Sequence, residues 1–457
     1  MDQQDEKSSD KTELGHTLES TGSENTQQTV DPIQPKRDIG AFQIIALGFN
    51  IPNSWLAVAV AFSTALTAGG PVSLIYGNFV ITAMYGSAAV TLAELASVYP
   101  TAGGQYHFAS IMAPKRFNKS ISYVCGMIAT VSWIICSASV CSVTSLCIAA
   151  IAEFYNGYQA SAWQLFLISQ ALNVISLLYN LFLLKKTHWI HDAAFFLTLA
   201  TFVSVSVVCL ARGDKQSSTW VWTSFESSSG WTPVVSFFTG LTTHAYMFGG
   251  LDATLHLAEE TLDASRTVPK ALMSTIGIGF FSGFVFSVAM AYCLPSLDVL
   301  ANDLVPVYKL WRMASKSDTA GTVFLIIIII LLTYIIAATQ QTTSRLLWAL
   351  ARDRGLVFSS QFAKLSSKLG DIPMAALLLD AGLIFVCGCI SLGSSAAFNA
   401  LVGVFSLMQM ISFAIPAALL IYHYAAVVLA IIAIVMAVNW FVFAKKHYQG
   451  PRIEFAE

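Results

Sequence analysis

The chain is a succession of apolar runs, and these settle its fold class before any motif is read. About twenty apolar residues carry a helix across the ~30 Å hydrocarbon layer of a bilayer. Such runs occur at about 41–68, 71–96, 120–152, 162–184, 190–210, from 233 into the segment 244–260, then 271–294, 321–350, 373–392, 397–422 and 425–444. Inside a membrane every backbone polar group must be satisfied within its own segment, so these runs are read as helices. Only 11% of the residues are charged, against about a quarter in soluble proteins. The chain is therefore expected to be an all-α polytopic membrane protein with about 11 transmembrane segments and the lipid bilayer as a partner. Nucleic acid is not an expected partner, because the net charge is -2 and no basic block is present. There is no Walker-type phosphate loop, no metal-ligand spacing and no nucleophile–base constellation. An enzyme is not expected, and neither catalytic residues, a metal nor a cofactor is assigned. Cys387-Gly-Cys389 invites a redox or metal reading, but in an apolar run thiols act as small apolar residues.

Residues 1–38 are polar, without an apolar period, and are expected to form a disordered N-terminal tail. Residues 39–444 form the transmembrane domain, and 445–457 a C-terminal tail. No cleavable leader is visible, since the first apolar run follows Arg37. With the N-terminus in the cytoplasm and every run crossing, fourteen lysines and arginines fall on the inner side through the tenth run. Five fall outside: Arg212, Lys215, Lys309, Arg312 and Lys316. That bias fits the orientation. It fails at the end, where eleven crossings would put Lys445, Lys446 and Arg452 outside, and where only Tyr422-His423-Tyr424 separates two runs. Either the last run does not cross normally or a helix is missing there.

Two runs carry breaks. The sixth contains Gly249-Gly250, then Asp252, and ends in Glu259 and Glu260. Glycine destabilises helix, and an acid at membrane depth marks a functional site by default. The first run reads Asn50-Ile-Pro-Asn-Ser-Trp55 at mid-depth, where Pro52 removes a backbone donor and disfavours helix before it. The breaks lie five spans apart, so the halves that contain them run in opposite directions. Paired interruptions in inverted halves point to the binding site of a secondary transporter.

Glu94-Leu-Ala-Ser-Val-Tyr-Pro-Thr-Ala-Gly-Gly-Gln-Tyr106 resembles the signature that follows helix two in the amino acid–polyamine–organocation (APC) superfamily. Asp252–Thr261 with Val268-Pro-Lys-Ala271 is similar to that family's end of helix six and start of helix seven, and Ser344–Gly355 to its loop after helix eight. Gly450-Pro-Arg-Ile453 resembles the tail of the fungal amino-acid/choline transporter branch, which includes choline, GABA and amino-acid permeases. The resemblance implies a LeuT-type fold: a 5+5 inverted repeat with discontinuous helices 1 and 6, here about 41–211 and 233–422, with an extra helix at 425–444. The family normally has twelve helices, so the chain looks as if it lacks helix eleven.

The resemblance also carries over site residues. Asn53, Ser54 and Trp55 match the unwound part of helix one, although the small glycines common there are absent. Tyr246, Phe248, Gly249, Gly250 and Asp252 match the broken part of helix six. Gly249 and Gly250 would free carbonyls for an ammonium, Phe248 would stack or gate, and Asp252 is read as a helix cap rather than a titrating group. Glu94 and Glu259 match inner-side acids and would gate by pairing with arginines such as Arg345 or Arg352. Trp133 and Tyr334 are read as packing, and His244 and His256 as hydrogen-bonded helix histidines rather than proton carriers. Asp380, inside the ninth run, has no account. The implied function is a secondary active permease for amino acids or related small amines such as GABA or choline, with proton coupling an open option. The plasma membrane is its expected location, with other endomembranes open. A non-transporting receptor, regulator or inactive truncated form is the alternative.

Overall fold

The computed structural model describes residues 37–187, 189–295, 297–300 and 303–445. All but the last two residues of the expected tail at 1–38, and all but Lys445 of the tail at 445–457, lie outside the described residues.

The first span is broken as its proline and asparagines predict. Helix α1 (Ala41–Asn50) stops before Pro52, and α2 (Ser54–Val60) restarts after it. A short α3 (Phe62–Thr67) and the two-residue strand β1 (Ala68–Gly69) follow. The chain returns along α4 (Gly70–Val98), passes through the short α5 (Gln105–Met112), and crosses again in α6 (Asn118–Asn156), α7 (Ala162–Phe182) and α8 (Trp189–Arg212). The connection to the second half contains α9 (Ser218–Thr223) and strand β2 (Glu226–Ser227), which pairs antiparallel with β1.

The sixth span comprises α10 (Pro233–Ala245), a 3-10 turn at Tyr246–Phe248 and the four-residue α11 (Ala253–His256). A second 3-10 turn at Ala258–Glu260 follows beyond its end. Then come α12 (Ala264–Tyr292), the short α13 (Leu297–Leu300) and α14 (Pro306–Ser315), α15 (Asp318–Arg352), the single turn α16 (Ser359–Phe362), α17 (Met374–Gly393) and α18 (Ser395–Asn439).

Among the described residues nine helices are long and apolar enough to cross a membrane. The sixth span is absent from that set because its break leaves no half long enough, so ten crossings result. Of these nine, the broken first span sits innermost. The apolar window of 41–60 is 83% buried, against 28% for α7 and 33% for α17, whose outer faces are left for lipid. Helices α4 and α12, each the span after a break, pack against each other beside α1 and α2, as two inverted halves require. The backbone before α1 is also strapped to the backbone after α11. The amides of Asp38 and Ile39 both donate to the Glu260 carbonyl at 3.0 Å, and Leu262 N–H donates to the Ile39 carbonyl at 2.9 Å.

One expectation changes. The runs at 397–422 and 425–444 are a single helix, because α18 continues unbroken through Tyr422–Tyr424. The reason is local: Ala417–Ala426 holds no glycine, proline, asparagine or aspartate to stop a helix. At 1.5 Å per residue its 45 residues span about 67 Å, roughly twice the hydrocarbon thickness. No turn separates a tenth from an eleventh crossing, so the extra helix expected at 425–444 is the far part of α18 and the π-helical turn Trp440–Ala444 that continues it.

Candidate functional site

The two breaks meet. In the first, Asn53 holds φ 40° and ψ 65°, the left-handed conformation that asparagine tolerates. That turn aims Ser54 Oγ at the second break, where it donates to the Met247 carbonyl at 2.6 Å. Asn50 Nδ2 donates to the His191 carbonyl at 2.8 Å, and Thr198 Oγ1 donates to Asn53 Oδ1 at 3.0 Å. Helix α8 thereby holds the first break.

In the second break Gly250 has φ +88°, open to glycine at little cost. A Cβ there would lie 2.9 Å from Ile51 of the first break and 3.0 Å from Trp133. A Cβ on Gly249 would lie 2.7 Å from the Phe405 ring. The two glycines therefore let the breaks approach each other and α18. Tyr246 stacks on Phe405 with centroids 5.5 Å apart, and Phe248 lies tilted against Tyr85 at 5.5 Å.

Asp252 is the centre of this region and is 1% exposed. It makes no cap hydrogen bond to α11, so the cap reading is replaced. The carboxylate turns inward instead. Oδ2 accepts from Gln105 Nε2 of α5 and, at 3.1 Å, from Trp133 Nε1 of α6, and lies 3.0 Å from His256 Nε2. Oδ1 accepts from Gln409 Nε2 of α18 at 3.1 Å, and Gln409 Oε1 accepts from the Gly250 amide at 3.1 Å. Four elements from both halves of the chain converge on one carboxylate. Gln105 and Gln409 are not singled out as site residues by the sequence, although Gln105 closes the Gly103-Gly104 motif and Gln409 is, with Asn399, one of two amides in an apolar run. Trp133, read as packing, is a donor to the carboxylate.

Trp55 moves away from the site. Its indole donates to Thr198 Oγ1 at 3.1 Å and its ring packs between Phe202 and Phe286, because α2 turns that face toward α8 and α12. Tyr334 hydrogen bonds His191 at 2.7 Å, and His244 Nε2 lies 2.9 Å from the Leu74 carbonyl. Asp380 is fully buried on α17, and neither of its carboxylate oxygens has a hydrogen-bond partner among the described residues. Cys387 is buried and Cys389 exposed, so the two thiols do not converge.

A second carboxylate cluster lies in the turn beyond α11. Glu259 accepts from both terminal nitrogens of Arg352, at 2.8 and 3.0 Å, and from the Ala102 amide at 3.0 Å. Glu260 accepts from Arg345 Nε at 2.7 Å and from Lys185 at 2.8 Å, and Lys185 lies 3.3 Å from Asp38. Burial opposes the Glu260 charge, but Arg345 and then Lys185 more than offset it and hold its carboxyl down to about 2. Glu94 is not part of this cluster. It lies on the exposed face of α4 between the buried pairs Leu92–Ala93 and Leu95–Ala96, and it makes no ion pair among the described residues. Glu260 takes the place expected for it.

Known proteins agree with this architecture. The amino acid permease family model matches residues 39–444. A choline transporter of Saccharomyces cerevisiae is 26% identical over 83% of this chain and 68% of its own length. The amino-acid permease BAT1 of Arabidopsis thaliana is 26% identical over 83% of this chain and 77% of its own. The transmembrane transporter swnT of Metarhizium robertsii is 29% identical over 86% and 78%. Among solved structures, MhsT in complex with L-phenylalanine superposes with a TM-score of 0.60, at 14% identity, over 84% of this chain and 89% of that one. This likeness places the chain in the LeuT-type fold. The chain is a multi-pass membrane transporter, and it belongs to the amino acid permease family.

Proposed function

We propose that the protein carries a small amine-bearing solute across its membrane by alternating access, with an amino acid, GABA or choline as substrate. The observation that carries this reading is the meeting of the two helix breaks around Asp252. Backbone released from helix there offers carbonyl acceptors, and the site lines protein rather than lipid, as irregular backbone at membrane depth must. Acceptors of this kind suit an ammonium. The Tyr246, Phe248 and Trp133 rings suit a cation that brings few donors, since a ring face attracts positive charge. Asn53, Ser54, Gly249, Gly250 and Asp252 supply the polar wall.

Glu259–Arg352 and Glu260–Arg345–Lys185 form the gate at the basic end of the bundle. The end of the sixth span must part from α15 for solute to leave that way, and these pairs resist the parting. The excess of lysine and arginine at this end supports a cytoplasmic side for it and for the N-terminus, with the plasma membrane as the expected location. A proton is the expected coupling ion, since the second break sets a carboxylate beside an imidazole.

The test is uptake of labelled amino acids, GABA and choline by cells expressing this chain. Saturable uptake of at least one is expected. Binding without uptake would contradict the transport reading.

A further inference from the structure

The hydrogen bonds around Asp252 leave one proton to be placed. His256 is fully buried. Its Nδ1 lies 2.9 Å from the Ala102 carbonyl oxygen, which only accepts, and its Nε2 lies 3.0 Å from Asp252 Oδ2. A neutral imidazole carries one N–H. Placed on Nδ1, that hydrogen leaves the Nε2 lone pair facing the carboxylate. Placed on Nε2, it leaves the Nδ1 lone pair facing the carbonyl. Either way two acceptors confront each other where water cannot mediate, if Asp252 is ionised. Imidazolium against carboxylate removes the conflict, as does neutral imidazole against carboxylic acid. The two arrangements hold the same number of protons, one more than neutral histidine beside ionised aspartate.

We propose that Asp252 and His256 together form one proton-binding site, occupied in this closed arrangement and emptied during the transport cycle. The proposal rests on the transport reading above and names the residues through which its coupling ion acts. Other groups face the pair from several elements. Tyr85 of α4 and Cys125 and Cys136 of α6 lie within the field of Asp252. Trp133, Gln105 and Gln409 only donate to it. On the other side His256 borders a narrow cleft of about 10 Å³, room for about one water molecule, which Glu259, Glu260, Arg345 and Asp371 also line. This cleft leads from the pair to the gate carboxylates. In the emptying step the N–H or O–H bond of the pair breaks, and the proton passes to a water molecule entering the cleft, giving hydronium.

Ala102 links the two events. Its carbonyl accepts from His256 and its amide donates to Glu259. Once the proton is lost, the ionised Asp252 carboxylate draws the remaining hydrogen to Nε2, which leaves the Nδ1 lone pair against the Ala102 carbonyl, weakening the hold of α11 on Ala102 and, through the same peptide segment, the seat of Glu259. Proton release and gate opening are thus coupled through one residue.

The proton count is measured without transport. Full-length protein with nitrogen-15 histidine is placed in lipid nanodiscs at about pH 7.5, and nitrogen spectra are combined with infrared detection of protonated carboxyl groups. The expected result is either two protonated nitrogens on His256 or a protonated carboxyl at Asp252. The first signal is assigned by its loss in His256→Gln, the second by its loss in Asp252→Asn. A neutral His256 beside an ionised Asp252 overturns the proposal, and this reading needs only the wild type if a variant fails to fold. In proteoliposomes, an inward proton gradient drives wild-type accumulation by up to about tenfold per pH unit at one proton per substrate. Loss of that response in His256→Gln supports the assignment, and an unchanged response overturns it. Wild-type protein that takes up no amine defeats the transport reading alone, since the proton count stands or falls on the spectra.

Discussion

The sixth span and the turn that ends it carry two carboxylate clusters, about two helical turns apart, built on opposite principles. Asp252 is held by neutral amides, an indole and a histidine. Glu259 and Glu260 are held by arginines and a lysine. Arginine does not lose its proton in a protein, so the second cluster opens only by physical separation. Aspartate and histidine can each hold or release a proton, so the first can be changed by chemistry while its atoms stay in place. In the proposed cycle one short segment thereby serves two tasks: a trigger where the breaks meet, and a latch where the span ends.

The latch is the costlier of the two to damage. Arg345→Ala leaves the buried Glu260 carboxylate without its nearest cation, and removal of one member of a buried pair costs about 3–5 kcal/mol. A large loss of thermal stability in detergent is expected, greater than for any change at Asp252 or Glu259. The same cluster predicts an acid limb. Because the Glu260 carboxyl is held down to about 2 from its ordinary 4.5, its stabilisation is fully present above that ordinary value and is lost as pH falls toward 2. Unfolding followed against pH should show this decline in the wild type and a shallower one in Glu260→Gln.

Gly250→Ala comes next and strikes the trigger. Its φ of +88° and the contacts with Ile51 and Trp133 predict a cost of about 1–3 kcal/mol, together with uptake reduced about tenfold or more. Unfolding and uptake measured on the same preparation check both. Glu259→Gln should act mildly on stability, about 0.5–1 kcal/mol, since its pair with Arg352 is partly exposed. Its stronger signature is faster labelling of cysteines introduced behind the gate. Glu94→Gln, on the open face of α4, should stay within about 0.5 kcal/mol of wild type in unfolding and leave uptake unchanged.

A lone proline such as Pro269 or Pro416 stays inside its helix. Both breaks can be read from sequence because each sets a helix-disfavouring residue beside polar groups at membrane depth, Pro52 between Asn50 and Asn53 and Gly249-Gly250 before Asp252. The partners of Asp252 cannot, since Gln409 lies 157 residues away and joins it only when α18 packs against α6. Glu94 and Glu260 show the same limit. Each is an acid at a helix end, and only the rotation of α4 decides that one faces outward while the other meets Arg345. Trp55 sits beside the first break in sequence, yet one residue's turn of α2 carries it to α8. At 422–424 the spacing suggests a junction, but three polar or aromatic residues without a helix breaker do not interrupt an α-helix.

In the proposed transport cycle, Asp252, where the breaks meet, is the residue on which binding and proton exchange both depend. Equilibrium binding of the amine identified by uptake, to purified wild type and to Asp252→Asn, tests that role most directly. Affinity at least about tenfold weaker is expected in the variant, a difference of about 1.4 kcal/mol, with folding retained. Equal affinity in the two proteins would contradict it.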